Sequence, residues 1–464
     1  MYIKRLLSGM LILVILLSGM AGCGSGSTDQ TGSTASAADT STSAAQTTAG
    51  ETVTPAVNDK PYELSVAWWG GEARHTKTLQ MIDAYMAKYP NAKIVSQYAA
   101  FGDYWTKLAT QAASSNLPDA YLVQLTYLGE YASKGLMRPL QDLVDAGKID
   151  VSKYTPGALS SSSYNGKLVG ITFGDTGSVL AFNKTLIESV GYPLPKDQMT
   201  YSEIAEYLKG LAKVLPKGTY ASGLTERAEY TIENFARNYG MYGVTSEDGK
   251  SLGYTKEVLA KYLNYYLDLY KAGVNGPMEV IQEDRTKQFA DSLAGKGKIA
   301  MWGTNANQLK IFQASVEADL DMVRFPVADD ATKKNVEAAV CSTWGISGTT
   351  KKVDEAAQFI NEMVNNWELQ EIYNMDIGVP GSTDIQEKLI SKLDLTNKVD
   401  IAKKKEITMM QDILNTIEPF NGRPSGYGAI VDDVYKKIDE VLYGTMTVDQ
   451  AVDAHFKAAE TLLK

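Results

Sequence analysis

A mixed α/β fold organised in two lobes is predicted by three features of this 464-residue sequence. From Glu63 to Gly135 strand-like and helix-like segments alternate, and beyond Tyr201 the periodicity becomes mainly helical. Between and after these regions lie short apolar runs interrupted by small residues, which read as crossings from one lobe to the other. The chain also exceeds the length at which a single core usually keeps growing, so more than one lobe is expected.

The N-terminus stands apart from that fold. Lys4-Arg5 supply a positive region, and Leu6 to Leu17 form an apolar segment too short to span a bilayer. Met20-Ala21-Gly22-Cys23 are small residues ending in a thiol. The pattern resembles a bacterial lipoprotein signal, with Met20 where Leu is usual. It implies removal of residues 1–22 and lipidation of Cys23. Gly24 to Asn58 is rich in Ser, Thr, Ala and Gly, with scarcely a large apolar residue to offset its ordering entropy. Residues 23–60 are therefore expected to be a lipid-anchored tether.

From Glu63 the segments come in order. Glu63 to Trp68 reads as a strand, and Thr76 to Tyr89 as a helix with Leu79, Ile82, Met86 and Tyr89 on its core face. Lys93 to Tyr98 reads as a second strand, and Tyr104 to Ser115 as a helix burying Leu108, Ala109, Ala112 and Ala113. Asp119 to Gln124 reads as a third strand, and a helix from Tyr127 is capped at Gly135. This order implies a largely parallel sheet, with ligands outside the carboxyl ends of its strands. An Asn165-Gly166 turn leads to a strand from Leu168 to Phe173, a Gly-Asp-Thr-Gly break, and a second run from Val179 to Phe182. Similar breaks, each beside a Trp, are read at Ile299 to Asn305 and Val340 to Gly345. Gly174, Gly177, Gly303 and Gly345 are the hinge candidates. Helices are expected at Tyr201 to Leu215, Thr231 to Tyr239, Lys256 to Ala272, Val353 to Asn366 and Ala429 to Tyr443. The lobes then comprise 61–174 with 303–343, and 175–302 with 344–464, the late helices being free to pack back on the first lobe.

Composition narrows the function. The formal net charge is −10, and −12 once Lys4 and Arg5 leave with the leader, against the basic footprint of a nucleic-acid binder. With two His and, beyond Cys23, only Cys341, there is little from which to build a soft-metal site, and no cofactor is expected. Cys341 reads as a small core residue. Phosphate-binding glycine loops, zinc-protease, nucleophile-elbow and dithiol motifs are absent from the sequence. Glu72 with Asp175 is the one carboxylate pair considered for glycoside hydrolysis.

The positive signal is aromatic. Trp68, Trp69, Trp105, Trp302 and Trp344 fall at expected strand ends or breaks, where flat rings beside polar groups suit the C–H face and hydroxyls of a sugar. Alternation along a strand sends Trp68 and Trp69 to opposite faces, and Trp69 is the one assigned to the pocket. Candidate polar partners are Glu72, Arg74, Gln124, Asp175, Asn305 and Arg423. Core packing of any single Trp, and a solvated loop position for any one polar residue, gives the same pattern. A peptide, amino-acid or polyamine ligand also remains compatible.

Ordered segments across residues 62–464 then add up to a resemblance. They are L-P-D-A-Y-L-V-Q, Y-A-S-K-G-L-M-R-P-L, Y-N-G-K-L-V-G with F-N-K, G-K-G-K-I-A-M-W-G, D-E-A-A-Q-F-I-N-E-M and G-T-M-T-V-D-Q-A. The chain resembles the family 1 extracellular solute-binding proteins of ABC transporters, the broad group of sugar-binding lipoproteins that includes maltose-binding protein. The resemblance implies a type II periplasmic-binding-protein fold, a two-lobed clamp that closes on its ligand. It also implies a monomer on the outer face of the cell membrane, partnered with permease subunits and no nucleic acid. The long helical Tyr220 to Asn275 region departs from maltose-binding protein and leaves second-lobe contacts such as Arg237 open. A sensor or co-receptor for a membrane signalling protein is the other function compatible with this reading.

Overall fold

The computed structural model describes residues 60–223, 231–334, 339–417 and 426–463. The expected alternation holds over the first half of the sheet. Strand β1 (Tyr62–Trp69) pairs in parallel with β2 (Ala92–Ala99) and with β3 (Ala120–Gln124). The helices after them start earlier than their periodicity suggested, at Glu72–Lys88, Phe101–Ala113 and Leu125–Ser133. Glu72 in the first turn and Lys88 in the last match the helix dipole, and Pro90 stops the first of these helices. Its buried face is His75, Thr78, Met81, Ile82 and Tyr85, a helical i, i+3, i+7 series one step from the predicted one. In the second helix only Leu108 of the four expected core residues is buried, joined by Tyr104 and Trp105; the large rings take the core and the alanines face out. Gly135, at φ 68°, takes up the left-handed position that ends the third.

The predicted turn at Asn165-Gly166 is a tight one, both residues having positive φ. It joins β4 (Ser163–Tyr164) to β5 (Lys167–Leu168). The break expected after it is absent. Residues Ile171–Asn183 form one continuous strand, β6, every residue of which is buried. Its first half pairs antiparallel with β10 (Ala339–Ile346). Its second half pairs antiparallel with β8 (Ile299–Asn305) and with β9 (Leu320–Arg324). Strand β7 (Tyr220–Ser222) adds in parallel to β8, giving the order β2-β1-β3-β10-β6-β8-β7, with β9 on β6. The sheet is thus mixed rather than largely parallel, because the chain returns to it through antiparallel strands after residue 164.

Three apolar clusters pack on this sheet. The first fills the space around β1, β3 and β10 and takes in the Val353–Asn365 and Lys398–Thr416 helices. The second joins the Lys256–Lys271, Tyr427–Leu442 and Val448–Leu462 helices. The third lies between the Tyr201–Ala212 helix and the far half of β6. In the second cluster, buried His455 bridges Tyr254 Oη at 2.8 Å and Asp433 at 2.7 Å, satisfying polar groups that burial would otherwise penalise. The expected later helices are present to within three residues at either end.

Gly174 and Gly177 are not loosened turn residues, and their need for glycine differs. A segment with positive φ at Asn374, Met375 and Gly378 runs against β6, where Asp175 and Val379 exchange both backbone hydrogen bonds at 2.7 and 2.8 Å. A Cβ on Gly174 would lie 2.5 Å from Ile377 Cγ2 and 3.1 Å from the Gly378 nitrogen. A Cβ on Gly177 would meet only Ile413 and Met410 side chains, at 3.3 Å and beyond. Gly303 and Gly345 likewise sit inside unbroken strands, β8 and β10. Gly174→Ala is therefore expected to cost about 1–3 kcal/mol by overpacking, and Gly177→Ala under about 1 kcal/mol. Urea denaturation of the two variants, compared at constant slope, measures the difference.

Candidate functional site

At the carboxyl ends of the three parallel strands, aromatic rings form one continuous wall. Trp69 is the last residue of β1 and points to the face opposite Trp68, as strand alternation requires. Its ring lies 5.5 Å from Trp105, 5.5 Å from Tyr104 and 5.9 Å from Phe101. Trp105 in turn stacks on Tyr127 at 3.7 Å and 16°. The helix beginning at Phe101 brings Phe101, Tyr104 and Trp105 together because i, i+3 and i+4 share a face. The Tyr104 hydroxyl fixes that helix to the sheet by donating to the Leu122 carbonyl at 2.7 Å. Each ring pair of this kind is worth about 0.5–1.5 kcal/mol beyond area burial, so the wall is assembled before any ligand arrives.

The wall has an open edge and a spare donor. Phe101 is 43% exposed, whereas Trp69 and Trp105 are 5% and 7% exposed. Trp105 Nε1 is buried with no acceptor among the described residues, as are the indole nitrogens of Trp68, Trp302 and Trp344, but Trp105 alone of these belongs to the wall. A buried N–H without a partner is costly and is the kind of group a ligand oxygen can satisfy. Gln124, half-buried, ends β3 three residues before Tyr127.

The other residues singled out in the sequence fall in different surroundings. Glu72 is exposed in the first turn of the helix that follows Trp69. Arg74 is turned toward Asp376, with Nε 2.6 Å from its carboxylate, and Lys77 lies 3.5 Å from the same group. Burial alone would weaken the charge on Arg74, but Tyr373 and Asp376 more than offset it, so the guanidinium stays charged as a fixed strut. Asn305 ends β8, and its Oδ1 is buried without a donor among the described residues. Nearby, the Asn307 amide N–H donates to Thr176 Oγ1 at 3.1 Å and its side chain donates to the Ile377 carbonyl at 3.2 Å. Arg423 lies outside the described residues, and so does Cys23.

Three of the sequence candidates are core residues. Trp344 is fully buried against Phe173 and Phe359, and Trp302 packs on Phe289 and Phe312. Trp302 lies within a continuous strand and Trp344 just after a register shift between Ser342 and Thr343 in the pairing of β10 with β6, and both rings are packed over, so the small residues beside them mark close packing and not an opening. Asp175 is the third. It is fully buried opposite Cys341, and burial holds its carboxyl protonated well above the usual range, with only Ser161 acting the other way. Ser161 Oγ lies within donating reach of both the Ala158 carbonyl at 2.8 Å and Asp175 Oδ1 at 3.3 Å, and Asp175 Oδ2 is buried with no partner among the described residues. This arrangement removes the Glu72 and Asp175 pair as a hydrolytic site: one member is at the surface, the other inside the sheet.

Phe101, Tyr104 and Tyr127 were within reach of sequence reasoning, since they lie at the same strand ends as Trp69 and Trp105. The sequence places the polar-aromatic stretches Phe101 to Trp105 and Gln124 to Tyr127 after the second and third strands, with Trp105 and Gln124 as the contacts singled out there. Thr176 and Asn307 carried no such signal; only the pairing of β6 with β8 brings them to the end of β8.

A family model described as bacterial extracellular solute-binding protein matches residues 80–408, well over half of the sequence. The chain belongs to that family. Solved structures agree on the fold. A family 1 extracellular solute-binding protein from Alicyclobacillus acidocaldarius is 23% identical, with TM-score 0.72 over 88% of this chain and 99% of that one. An ABC substrate-binding protein from Listeria monocytogenes, in complex with cycloalternan, is 20% identical with TM-score 0.67 over 87% and 99%. A periplasmic oligogalacturonide-binding protein from Yersinia enterocolitica is 20% identical with TM-score 0.68 over 87% and 99%.

This solute-binding protein therefore has the two-lobed periplasmic-binding-protein fold, built on the mixed sheet described above. Its family is one of binding proteins that work outside the cytoplasm. Among the described residues no helix is long and apolar enough to cross a membrane, and no group of three metal-ligating side chains forms a site.

The buried Asp175 sets a pH dependence whose sign can be worked out. The folded state keeps the proton while the unfolded chain releases it near the ordinary aspartate value of about 4. Stability therefore falls as pH rises from there, by at most about 1.4 kcal/mol per pH unit. Asp175→Asn is expected to stabilise the protein at pH 7 to 8, the gain shrinking to nothing toward pH 4. Denaturation midpoints of both proteins across that range check it.

Proposed function

We propose that this protein captures a sugar or oligosaccharide between its lobes and delivers it to the permease of an ABC importer. The observation that carries the reading is the preassembled wall of Phe101, Trp69, Trp105 and Tyr127 at the carboxyl ends of three parallel strands. Flat rings of this kind offer the C–H faces of pyranoses a stacking surface, and the spare Trp105 N–H offers an oxygen a donor. Cycloalternan and oligogalacturonide in the names of two similar structures are in keeping with such a ligand.

On this reading β6 and the segment paired with it at Val379 form the connection about which closure occurs, and the ligand stabilises the closed state through contacts made in that state alone. Trp69, Trp105 and Gln124 belong to the ligand face of the first lobe, and Asn305 with Thr176 to the floor. Glu72 and Arg74 act at the rim, Arg74 as a strut and not a contact. The anchor is Cys23, which places the protein at the outer surface of the membrane as a monomer on a tether.

A thermal-shift screen of the purified protein against mono- and oligosaccharides, with amino acids, peptides and polyamines as controls, tests the ligand class. A ligand at a hundred times its dissociation constant adds about 2.7 kcal/mol of stability. Trp105→Ala and Trp69→Ala are each expected to weaken the sugar that binds by about tenfold or more, or about 1.4 kcal/mol. Titration calorimetry gives the value, and a response to peptides alone removes the sugar assignment. For the anchor, Cys23→Ser is expected to shift the protein from the membrane fraction to the medium and to abolish labelling by a radioactive fatty acid.

A further inference from the structure

A second concavity lies in the other half of the molecule, apart from the aromatic wall at the ends of β1 to β3. It has a volume of ≈ 290 Å³ and is bounded by the Tyr201–Ala212 helix, the Lys256–Lys271 helix, the end of the Thr231–Asn238 helix and the turn at Ala328–Asp330. This is near the lower end of the range for small-molecule sites. Its inner surface is aromatic. Tyr201 is held edge-on at 4.9 Å by both Phe235 and Tyr265, and Tyr239 lies 5.4 Å from Phe235.

The rim is charged and unbalanced. Glu206, Asp268, Asp329 and Asp330 face two cations, Lys209 and Lys261. Neither cation is available to an anionic ligand. Lys209 Nζ is 2.7 Å from Asp268 and 3.2 Å from Glu206; Lys261 Nζ is 2.8 Å from Asp330 and 3.6 Å from Glu257. Asp330 also accepts from the Tyr239 hydroxyl at 2.7 Å, and Asp329 accepts from Ser202 Oγ at 2.9 Å. Lys261 Nζ sits 4.8 Å from the centre of the Tyr239 ring, so the groove already holds one cation against an aromatic face.

We propose that this groove is a second binding site, for an organic cation of the guanidinium or alkylammonium class. The carboxylates at the rim supply the attraction, and the rings beneath them accept both the charge and the apolar stem behind it. Such a group belongs either to a free amine or to a basic side chain of a partner protein. The site is independent of the sugar reading, since it shares no residue with the aromatic wall.

Titration calorimetry of the purified protein with agmatine tests it. The expected result is saturable binding, weakened about tenfold or more in a Glu206→Gln, Asp268→Asn double variant. Both positions are exposed, and a thermal melt of the double variant confirms that it folds. The binding is also expected to weaken with added salt and to be unchanged by Trp69→Ala. A second arm uses acetyl-Gly-Arg-Gly-amide: comparable binding of this peptide identifies a partner's side chain as the source, and binding of agmatine alone identifies a free amine. No saturable heat at millimolar agmatine overturns the proposal. So does agmatine binding that survives the double variant and is lost in Trp69→Ala, because the amine would then occupy the aromatic wall.

Discussion

Strand β6 is the element on which the other strands depend. It is the shared partner of β10 on one stretch and of β8 and β9 on the next, so the backbone hydrogen bonds of both halves of the sheet converge on thirteen consecutive residues. Because every one of them is buried, each polar group along it must find a partner inside the protein. Thr176 meets this demand by accepting from Asn307 and the Asp175 main chain by bonding to Val379, while Asp175 Oδ2 is left without a partner among the described residues and burial raises its carboxyl well above the usual range. The close approach of the Ile377 to Val379 segment requires the missing side chain at Gly174. That segment is itself held in place by Lys310, which donates to the Met375 carbonyl at 2.6 Å while paired with buried Glu406 at 2.9 Å. A buried ion pair is weak evidence of net stability, but removing one member leaves the other charge stranded, so the turn at Met375 has little freedom to move alone.

The aromatic wall depends on the same economy of position. It is built from the last residue of one strand and the first turns of two helices, so its rings are set by regular backbone rather than by loops. Sites carried on regular elements are held more accurately than sites on loops. The tying of Tyr104 to Leu122 shows how a buried hydroxyl can orient neighbouring rings while satisfying its own hydrogen-bonding need.

Much of this was legible in the sequence, and the misses have physical causes. The alternation before Gly135 was strong because amphipathic helices and buried strands differ in period, and the first three strands pair in parallel as that order demanded. The turn at Asn165-Gly166 was legible because few other dipeptides accept two positive φ angles. Gly174 and Gly177 misled because glycine has two uses, to break a chain and to let another chain come close, and composition does not separate them. Trp302 and Trp344 misled for a related reason: a tryptophan beside a glycine in a strand fits a pocket or a tightly packed core equally well. The place of Trp69 and Trp105 at the carboxyl ends of the first strands was legible from their position after a strand. Phe101 and Tyr127 lie in the same strand-end stretches, but their packing on Trp105 needed the helix starts, which lie earlier than the apolar periodicity indicated.

Cys341 shows what the packing around β6 means for chemistry beyond binding. The thiol is fully buried, donates to the Ser161 carbonyl at 2.7 Å, and is pushed up to about 12 by burial and by neighbouring Asp175. Thiolate is the reactive form in disulfide exchange, and access is the other requirement; the folded protein withholds both. A sulfur placed this way is silent toward oxidants and mixed disulfides in a compartment where free thiols are at risk. It becomes reactive only in molecules whose central sheet has come apart, so the one cysteine among the described residues doubles as an internal marker of unfolding.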